Sequence, residues 1–188
     1  MKYFDKLNLP TFSNAQKDLD NLIDNEIVTW LPRNNQICLN CVVGKDDPYL
    51  GTGSLYYDWE KIDVSIINSK NDVPVKDVIY EEEDFTELCT IFKNTVFEEM
   101  YLLLKTNYKL GRVRLMKSLP KTCLSWHFDN SKRLHYPIIT NDGCFMIIED
   151  ETLHLESNNW YLTNTTVKHT ALNASYSPRV HLVATILE

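Results

Sequence analysis

From residue 108 onward, apolar and polar side chains alternate in short runs, at roughly 111–117, 122–129, 133–139, 143–149, 152–155, 160–163, 166–171 and 179–187. Turn-forming residues separate them: Ser118 to Pro120, Asn130-Ser131, Asn141-Asp142-Gly143, Ser157 to Asn159 and Ser175 to Pro178. Alternation puts every second side chain on one face, and many short strands at this spacing predict an antiparallel sandwich or barrel. Ahead of residue 108 the pattern is different. Ser13-Asn14-Ala15-Gln16 reads as a capping box, opening a helix through Leu19, Leu22 and Ile23 that ends near Asn25. Strand character follows near 36–43 and 53–65. Phe85, Leu88, Cys89, Phe92, Val96, Met100, Leu103 and Leu104 then recur at three- and four-residue spacing and predict the best helix of the chain. The acidic run Glu81-Glu82-Glu83-Asp84 would precede it, where the helix dipole favours negative charge. No linker composition separates the two parts. The expectation is one domain over residues 1–188, with a helical and irregular supporting half (1–107) and a β core (108–188).

Charge narrows the class of partner. The formal net charge is −7, which argues against a general nucleic-acid or membrane-surface binder. Lys105, Lys109, Arg112, Arg114, Lys117 and Lys121 run against that average. A solvated face accounts for the lysines; the two arginines suit a site for an anionic cosubstrate. The longest apolar stretches fall far short of the ~18 residues of a membrane span. Charge at Lys2, Asp5 and Lys6 sits where a signal peptide would be apolar, so a cytoplasmic location is expected. Five cysteines, an odd number, suggest reduced thiols. Cys38 and Cys41 form a C-x-x-C without a second pair, in a segment that reads as a buried strand where cysteine packs as a small hydrophobe. Sequons at Asn164 and Asn173 carry no information without secretion.

The chemistry-bearing residues collect in the β core. In Cys123-Leu124-Ser125-Trp126-His127-Phe128-Asp129, strand alternation points His127 and Asp129 the same way, about 6–7 Å apart along the backbone, with Leu124, Trp126 and Phe128 opposite. His169 lies on the later segment 166–171. Two imidazoles and one carboxylate on one side of a metal leave positions open, the arrangement of non-haem iron oxygenases rather than of a closed structural zinc site. H-x-[DE] alone is weak in a chain with 26 acidic residues, and His154-Leu155-Glu156 is a second copy, lying too close to His169 and lacking its own arginine pattern. Arg179 strengthens the first reading. It follows His169 by ten residues, and the far carboxylate of 2-oxoglutarate needs a cation, for which a planar guanidinium is suited. Arg133 and His135 form another same-face pair. Alternation alone would bury Val180, Leu182 and Ile186 and leave Arg179 in water. Three strands that each gather their ionisable groups on one face fit a barrel with a polar mouth.

The string Arg112-x-Arg114, Pro120, Trp126-His127-Phe128-Asp129, Arg133-x-His135, Trp160, Asn164, His169, Asn173 and Arg179-x-His181 resembles the aspartyl/asparaginyl β-hydroxylase family, whose relatives include bacterial cis-proline hydroxylases. The resemblance covers residues 110–187. It implies a double-stranded β-helix, the jelly-roll or cupin-like barrel, mainly β with supporting helices. It also implies a dioxygenase that uses Fe(II), 2-oxoglutarate and O2 and releases succinate and CO2. His127, Asp129 and His169 would be the metal ligands. Arg179 would hold the distal carboxylate, and Arg133 and His135 would contact the cosubstrate. Arg112, Arg114, Trp160 and Asn173 would be candidate substrate contacts. The animal β-hydroxylase branch lacks the carboxylate ligand, so Asp129 sets this chain nearer the complete-triad branch and aspartyl hydroxylation does not follow. The substrate is expected to be an amino acid, free and proline-like, or a residue within a peptide. Two other classes stay open from the residues: a non-catalytic barrel binding metal or a small acid, and a structural or interaction protein whose histidines do not converge.

Overall fold

The computed structural model describes residues 1–32, 34–61 and 73–187. Its elements run β1 (Phe4–Leu7), α1 (Ala15–Asp24), β2 (Gln36–Cys38), β3 (Asn40–Val42), β4 (Phe85–Leu88), α2 (Val96–Asn107), β5 (Leu110–Ser118), β6 (Thr122–Cys123), β7 (Arg133–Ile139), β8 (Cys144–Ile148), β9 (Glu151–Leu153), β10 (Trp160–Thr163), β11 (His169–Asn173) and β12 (Arg179–Ile186). One sheet has the order β1-β10-β7-β12-β5-β2 and the other β6-β11-β8-β9; β3 and β4 pair separately. All pairings are antiparallel. From β5 to β12 the chain crosses between the two sheets at every connection except β8 to β9. That winding is the double-stranded β-helix, a jelly roll of two facing sheets.

Burial on both faces of the larger sheet explains how the strands sort their side chains. Val113 and Leu115 of β5, Leu134, Tyr136 and Ile138 of β7, Trp160 of β10, and Val180, Leu182 and Ala184 of β12 form one core with Leu19 and Leu22 of α1 and Phe97, Met100 and Leu104 of α2. The opposite face turns toward the smaller sheet. There the register sets Arg114 beside Val183 and Val183 beside His135, while His181 lies opposite Met116, and Met116 opposite Gln36. The alternation of β12 therefore turns Arg179, half-buried, and His181, buried, into the barrel instead of leaving them in water. Against β7, β12 shifts register between Val180 and His181, beside Pro137, which has no N–H to give the ladder.

The N-terminal half departs from its sequence pattern in three places. Helix α1 is present, but its N-cap is Asn14, and neither box bond forms. Instead Asp18 accepts the Val96 N–H at 2.9 Å and caps α2. Phe85 to Leu88 are strand, followed by a 3-10 turn at Thr90–Phe92, so α2 begins only at Val96. Phe85, Cys89, Phe92, Val96, Met100 and Leu104 are buried and Leu88 and Leu103 half-buried, but pairing with β3 overrides the helical spacing. The expected strand at 53–65 is irregular through residue 61, with a 3-10 turn at Trp59–Lys61, and its end lies outside the described residues. Among the described residues, no helix is long and apolar enough to cross a membrane.

Candidate active site

His127 and His169 reach each other from segments 42 residues apart. Their backbones exchange hydrogen bonds, His127 N–H to His169 O at 3.0 Å and His169 N–H to His127 O at 2.8 Å. Regular β6 ends at Cys123, so this single bridge, and the Asp129 N–H donated to Thr165 O at 2.8 Å, position the ligand-bearing segment. The two ring centroids are 4.2 Å apart. One ligand atom from each of His127, Asp129 and His169 lies within 4.8 Å of the other two.

The hydrogen bonds fix which nitrogen faces inward. Nδ1 of His127 meets Ser125 O at 2.7 Å, and Nδ1 of His169 meets Val167 O at 3.0 Å. A carbonyl only accepts, so both Nδ1 atoms carry hydrogen and both Nε2 lone pairs are free. Burial pushes the His169 pKa down, which keeps the ring neutral. Asp129 is held by the Arg133 guanidinium, Nε to Oδ2 at 3.3 Å, and its Oδ2 stands 3.8 Å from His169 Nε2. Two imidazole nitrogens and one carboxylate oxygen, each oriented from behind, fit a divalent first-row cation with open positions.

The triad opens into a cleft of about 370 Å³ lined also by Gln36, Arg114, Arg133, His135, Arg179 and His181. Its floor is cationic and unspent. Among the described residues, Arg179 Nε has no partner, and Arg114 makes one bond, Nη1 to Gln36 Oε1 at 3.1 Å, with Nε left empty. Burial, followed by neighbouring Arg112, lowers the Arg114 pKa to about 9, still cationic at neutral pH. His135 and His181 meet through their Nδ1 atoms at 3.5 Å, and neither Nε2 has a partner among the described residues. Burial, then Arg179 and Arg133, drives His135 to about 3; burial, then Arg179, holds His181 well below its usual value. Both rings are neutral.

Three expected substrate contacts stand elsewhere. Arg112 gives Nε and Nη2 to Glu82 Oε1 at 3.1 and 2.8 Å, and Nη1 to Gly51 O and Gly53 O at 2.7 and 2.9 Å. Trp160 is in the core behind the sheet, with Nε1 donating to Pro10 O at 2.8 Å. Asn173 is fully buried and binds Ser118 O, Ser177 O and the Ser175 N–H, so it shapes a turn. Of the second H-x-E pair, His154 bonds Cys144 O and Glu156 pairs with Lys6 at the surface.

Two residues that matter here left no mark in the sequence. Gln36 enters the cleft from β2, far outside the recognised motifs. Glu82 looked like one of four carboxylates at a helix start. It sits in a 3-10 turn, Glu82–Asp84, against β5, and also accepts the Arg112 N–H at 2.8 Å. A Cβ on Gly111 would come within 2.7 Å of Glu82 Oε2 and 3.1 Å of Thr185 Cβ, so glycine makes that approach possible. Burial raises the Glu82 pKa, but Arg112 outweighs it and leaves the value at about 2.

Comparison with known proteins bears on the whole of this region. No curated protein matches the chain by sequence. Three solved structures show slight likenesses. A cupin domain from Bordetella pertussis is 18% identical with a TM-score of 0.38, over 44% of this chain and 86% of that one. A 2OG-Fe(II) oxygenase family oxidoreductase from Burkholderia pseudomallei is 12% identical with a TM-score of 0.37, over 40% and 43%. AerE from Microcystis aeruginosa is 21% identical with a TM-score of 0.36, over 41% and 36%. The chain spans less than half the length of the latter two. The sequence profile described as Aspartyl/Asparaginyl beta-hydroxylase, by contrast, matches residues 58–188, well over half of the chain and the whole of the β core. The chain belongs to the aspartyl/asparaginyl β-hydroxylase family and is a hydroxylase-type oxygenase.

Proposed function

We propose that this protein is an Fe(II)- and 2-oxoglutarate-dependent dioxygenase that hydroxylates an amino-acid residue. One observation carries the reading: two Nε2 atoms and a carboxylate converge in a cleft that also holds Arg179, half-buried and with no acid partner among the described residues. When bound there, iron, 2-oxoglutarate and O2 supply the oxidising power for C–H hydroxylation, with succinate and CO2 as by-products. The chain's own residues bind and orient. The Ser125 and Val167 carbonyls aim the two imidazoles, and Arg133 holds the Asp129 carboxylate in place. Arg179 supplies the cation for the distal carboxylate of 2-oxoglutarate. In a neutral His135–His181 pair, one Nδ1 donates to the other. The ring that accepts must therefore carry its own hydrogen on Nε2, so the pair offers the cosubstrate one donor and one acceptor without adding charge.

Arg114, with Gln36 beside it, is left for an anionic or carbonyl group of the substrate. Of the exposed apolar residues on this segment, Leu124 lines the cleft at 52% exposure, and Trp126 and Phe128 stand 50% and 71% exposed on the same short stretch. An apolar run beside the cleft favours a residue within a polypeptide, which would cover it, over a free amino acid.

The test is anaerobic titration with Fe(II) and 2-oxoglutarate, followed by the visible metal-to-ligand charge-transfer band. A band that needs both additions and is lost in His127→Ala and in His169→Ala supports the reading, which succinate formation under air then completes. Bound metal with no band, and no decarboxylation of 2-oxoglutarate, would instead make this a binding barrel.

A further inference from the structure

The supporting half carries a second cluster of metal-ligating side chains. Cys41 and Cys89 are buried and reduced, while Asp46 is exposed at the lip of a groove that also reaches Cys41. Their Sγ, Sγ and carboxylate atoms lie within 4.8 Å of one another. The sequence drew attention to Cys38 and Cys41, but residues three apart on extended chain face opposite ways. Cys38 points at Gly51, where a Cβ would approach its Sγ to 2.8 Å. The partner of Cys41 is Cys89, brought alongside by the pairing of Cys41 with Glu87 and by the Cys89 N–H bond to Leu39 O at 2.8 Å.

We propose that Cys41, Cys89 and Asp46 bind a zinc-like divalent cation, a site separate from the triad and independent of the function proposed for it. The thiols are a soft ligand pair suited to Zn²⁺, and a carboxylate is a common companion. Asp46 is already held in place. Oδ1 accepts the Thr90 N–H at 2.8 Å, and Oδ2 accepts the Thr90 hydroxyl. These bonds leave other lone pairs free and orient the carboxylate as outer-shell partners do. The tight turn between Cys41 and Asp46 is fixed by the Lys45 N–H to Val42 O bond at 2.9 Å and by Gly44 at φ +73°, a conformation that suits glycine. The groove, about 560 Å³, gives an ion its path in and leaves room for water at a fourth position. Binding replaces two S–H protons, which pass to solvent, so the complex gains the mass of the metal less two hydrogens. The ion would tie β3, its following turn and the end of β4 together, stiffening the strand that leads away from Glu82.

The experiment isolates this site by using full-length His169→Ala protein, reduced and freed of metal. Titration with Co²⁺ alone should give one bound ion with a thiolate-to-cobalt charge-transfer band in the near ultraviolet, which the triad's nitrogen and oxygen ligands cannot produce. Zn²⁺ should displace it. Cys41→Ser and Cys89→Ser should abolish the band. Asp46→Ala, a change at an exposed side chain that keeps the fold, should weaken Co²⁺ binding by about tenfold or more. A folded His169→Ala protein with no sulfur band overturns the proposal, as does unchanged affinity in Asp46→Ala. So does formation of a Cys41–Cys89 disulfide in air with no Co²⁺ uptake after reduction.

Discussion

Arg112 and Arg114 stand two residues apart on β5, share a face and are equally withdrawn from solvent, at 7% exposure each. Arg112 sits at the outer end, where Glu82 and two backbone carbonyls take all its side-chain nitrogens. Arg114 sits in the cleft with a single neutral partner. Burying a charge costs several kcal/mol unless bonds compensate it. At Arg112 the compensation is complete, and the residue belongs to the wall. At Arg114, and again at Arg179, it is incomplete, and the unspent donors are what a carboxylate would use. Residue type and burial are alike in both regions; only the donor count separates structure from binding capacity.

The most damaging change should be at the closed end. Glu82→Ala leaves the Arg112 guanidinium buried and short of a partner, and should cost about 3–5 kcal/mol in urea unfolding. A loss below about 1 kcal/mol would mean that the clasp is not what holds this wall. At the open end, Arg179→Ala should keep iron binding but weaken 2-oxoglutarate by about 2–3 kcal/mol, roughly 30- to 150-fold, in the charge-transfer titration. Loss of metal with intact cosubstrate affinity would reverse that assignment. Arg114→Met should change stability by less than about 1 kcal/mol, since an apolar replacement for an unpaired buried charge is often neutral. It should instead raise the substrate KM about tenfold, by removing a charge-assisted contact. If Arg114→Met unfolds the protein as Glu82→Ala does, the contrast between the two arginines is gone.

Acid offers the gentlest probe. The folded pKa of Glu82, about 2, lies below the ordinary carboxylate value of about 4.3, so its stabilisation is whole above that value and fades as pH falls toward 2. The loss from this group should reach about 1 kcal/mol near pH 3.5, and Glu82→Gln should flatten that part of the curve. His135 behaves with the same sign over a higher window. Its folded pKa of about 3 lies below the usual 6.5, so the stability of the neutral ring is present above 6.5 and is lost as pH falls from there toward 3.

The core strands were legible because period-two alternation and turn residues are local signals, and the polar face of β12, β7 and β5 became meaningful once several strands shared it. The helical spacing over Phe85 to Leu104 misleads for the same reason in reverse. Most of its apolar positions are buried, but β3 pairs with Phe85 to Leu88, and that contact spans about half the N-terminal part of the chain. Long-range partners escaped altogether. Nothing local distinguishes Glu82 from Glu81, Glu83 or Asp84; its meaning comes from Arg112, 30 residues on. Gln36 acquires a place in the cleft only through the register of β2 against Met116. Arg112 and Arg114 could not be told apart, because donor satisfaction is a property of the folded surroundings.

The outermost strands of the larger sheet, β1 and β2, both come from residues before 58, where the family profile begins to match. A chain trimmed to that match would strip β10 and β5 of their neighbours and bare two rows of unsatisfied N–H and C=O groups. The intact sheet ends on strands of four and three residues, whereas trimming would leave the nine-residue β5 as an edge. Such rows recruit strands from other molecules, so the trimmed protein should self-associate more than the whole chain on light scattering. The residues with no recognisable motif thus supply the short strands that end the sheet on both sides and cover its long inner strand.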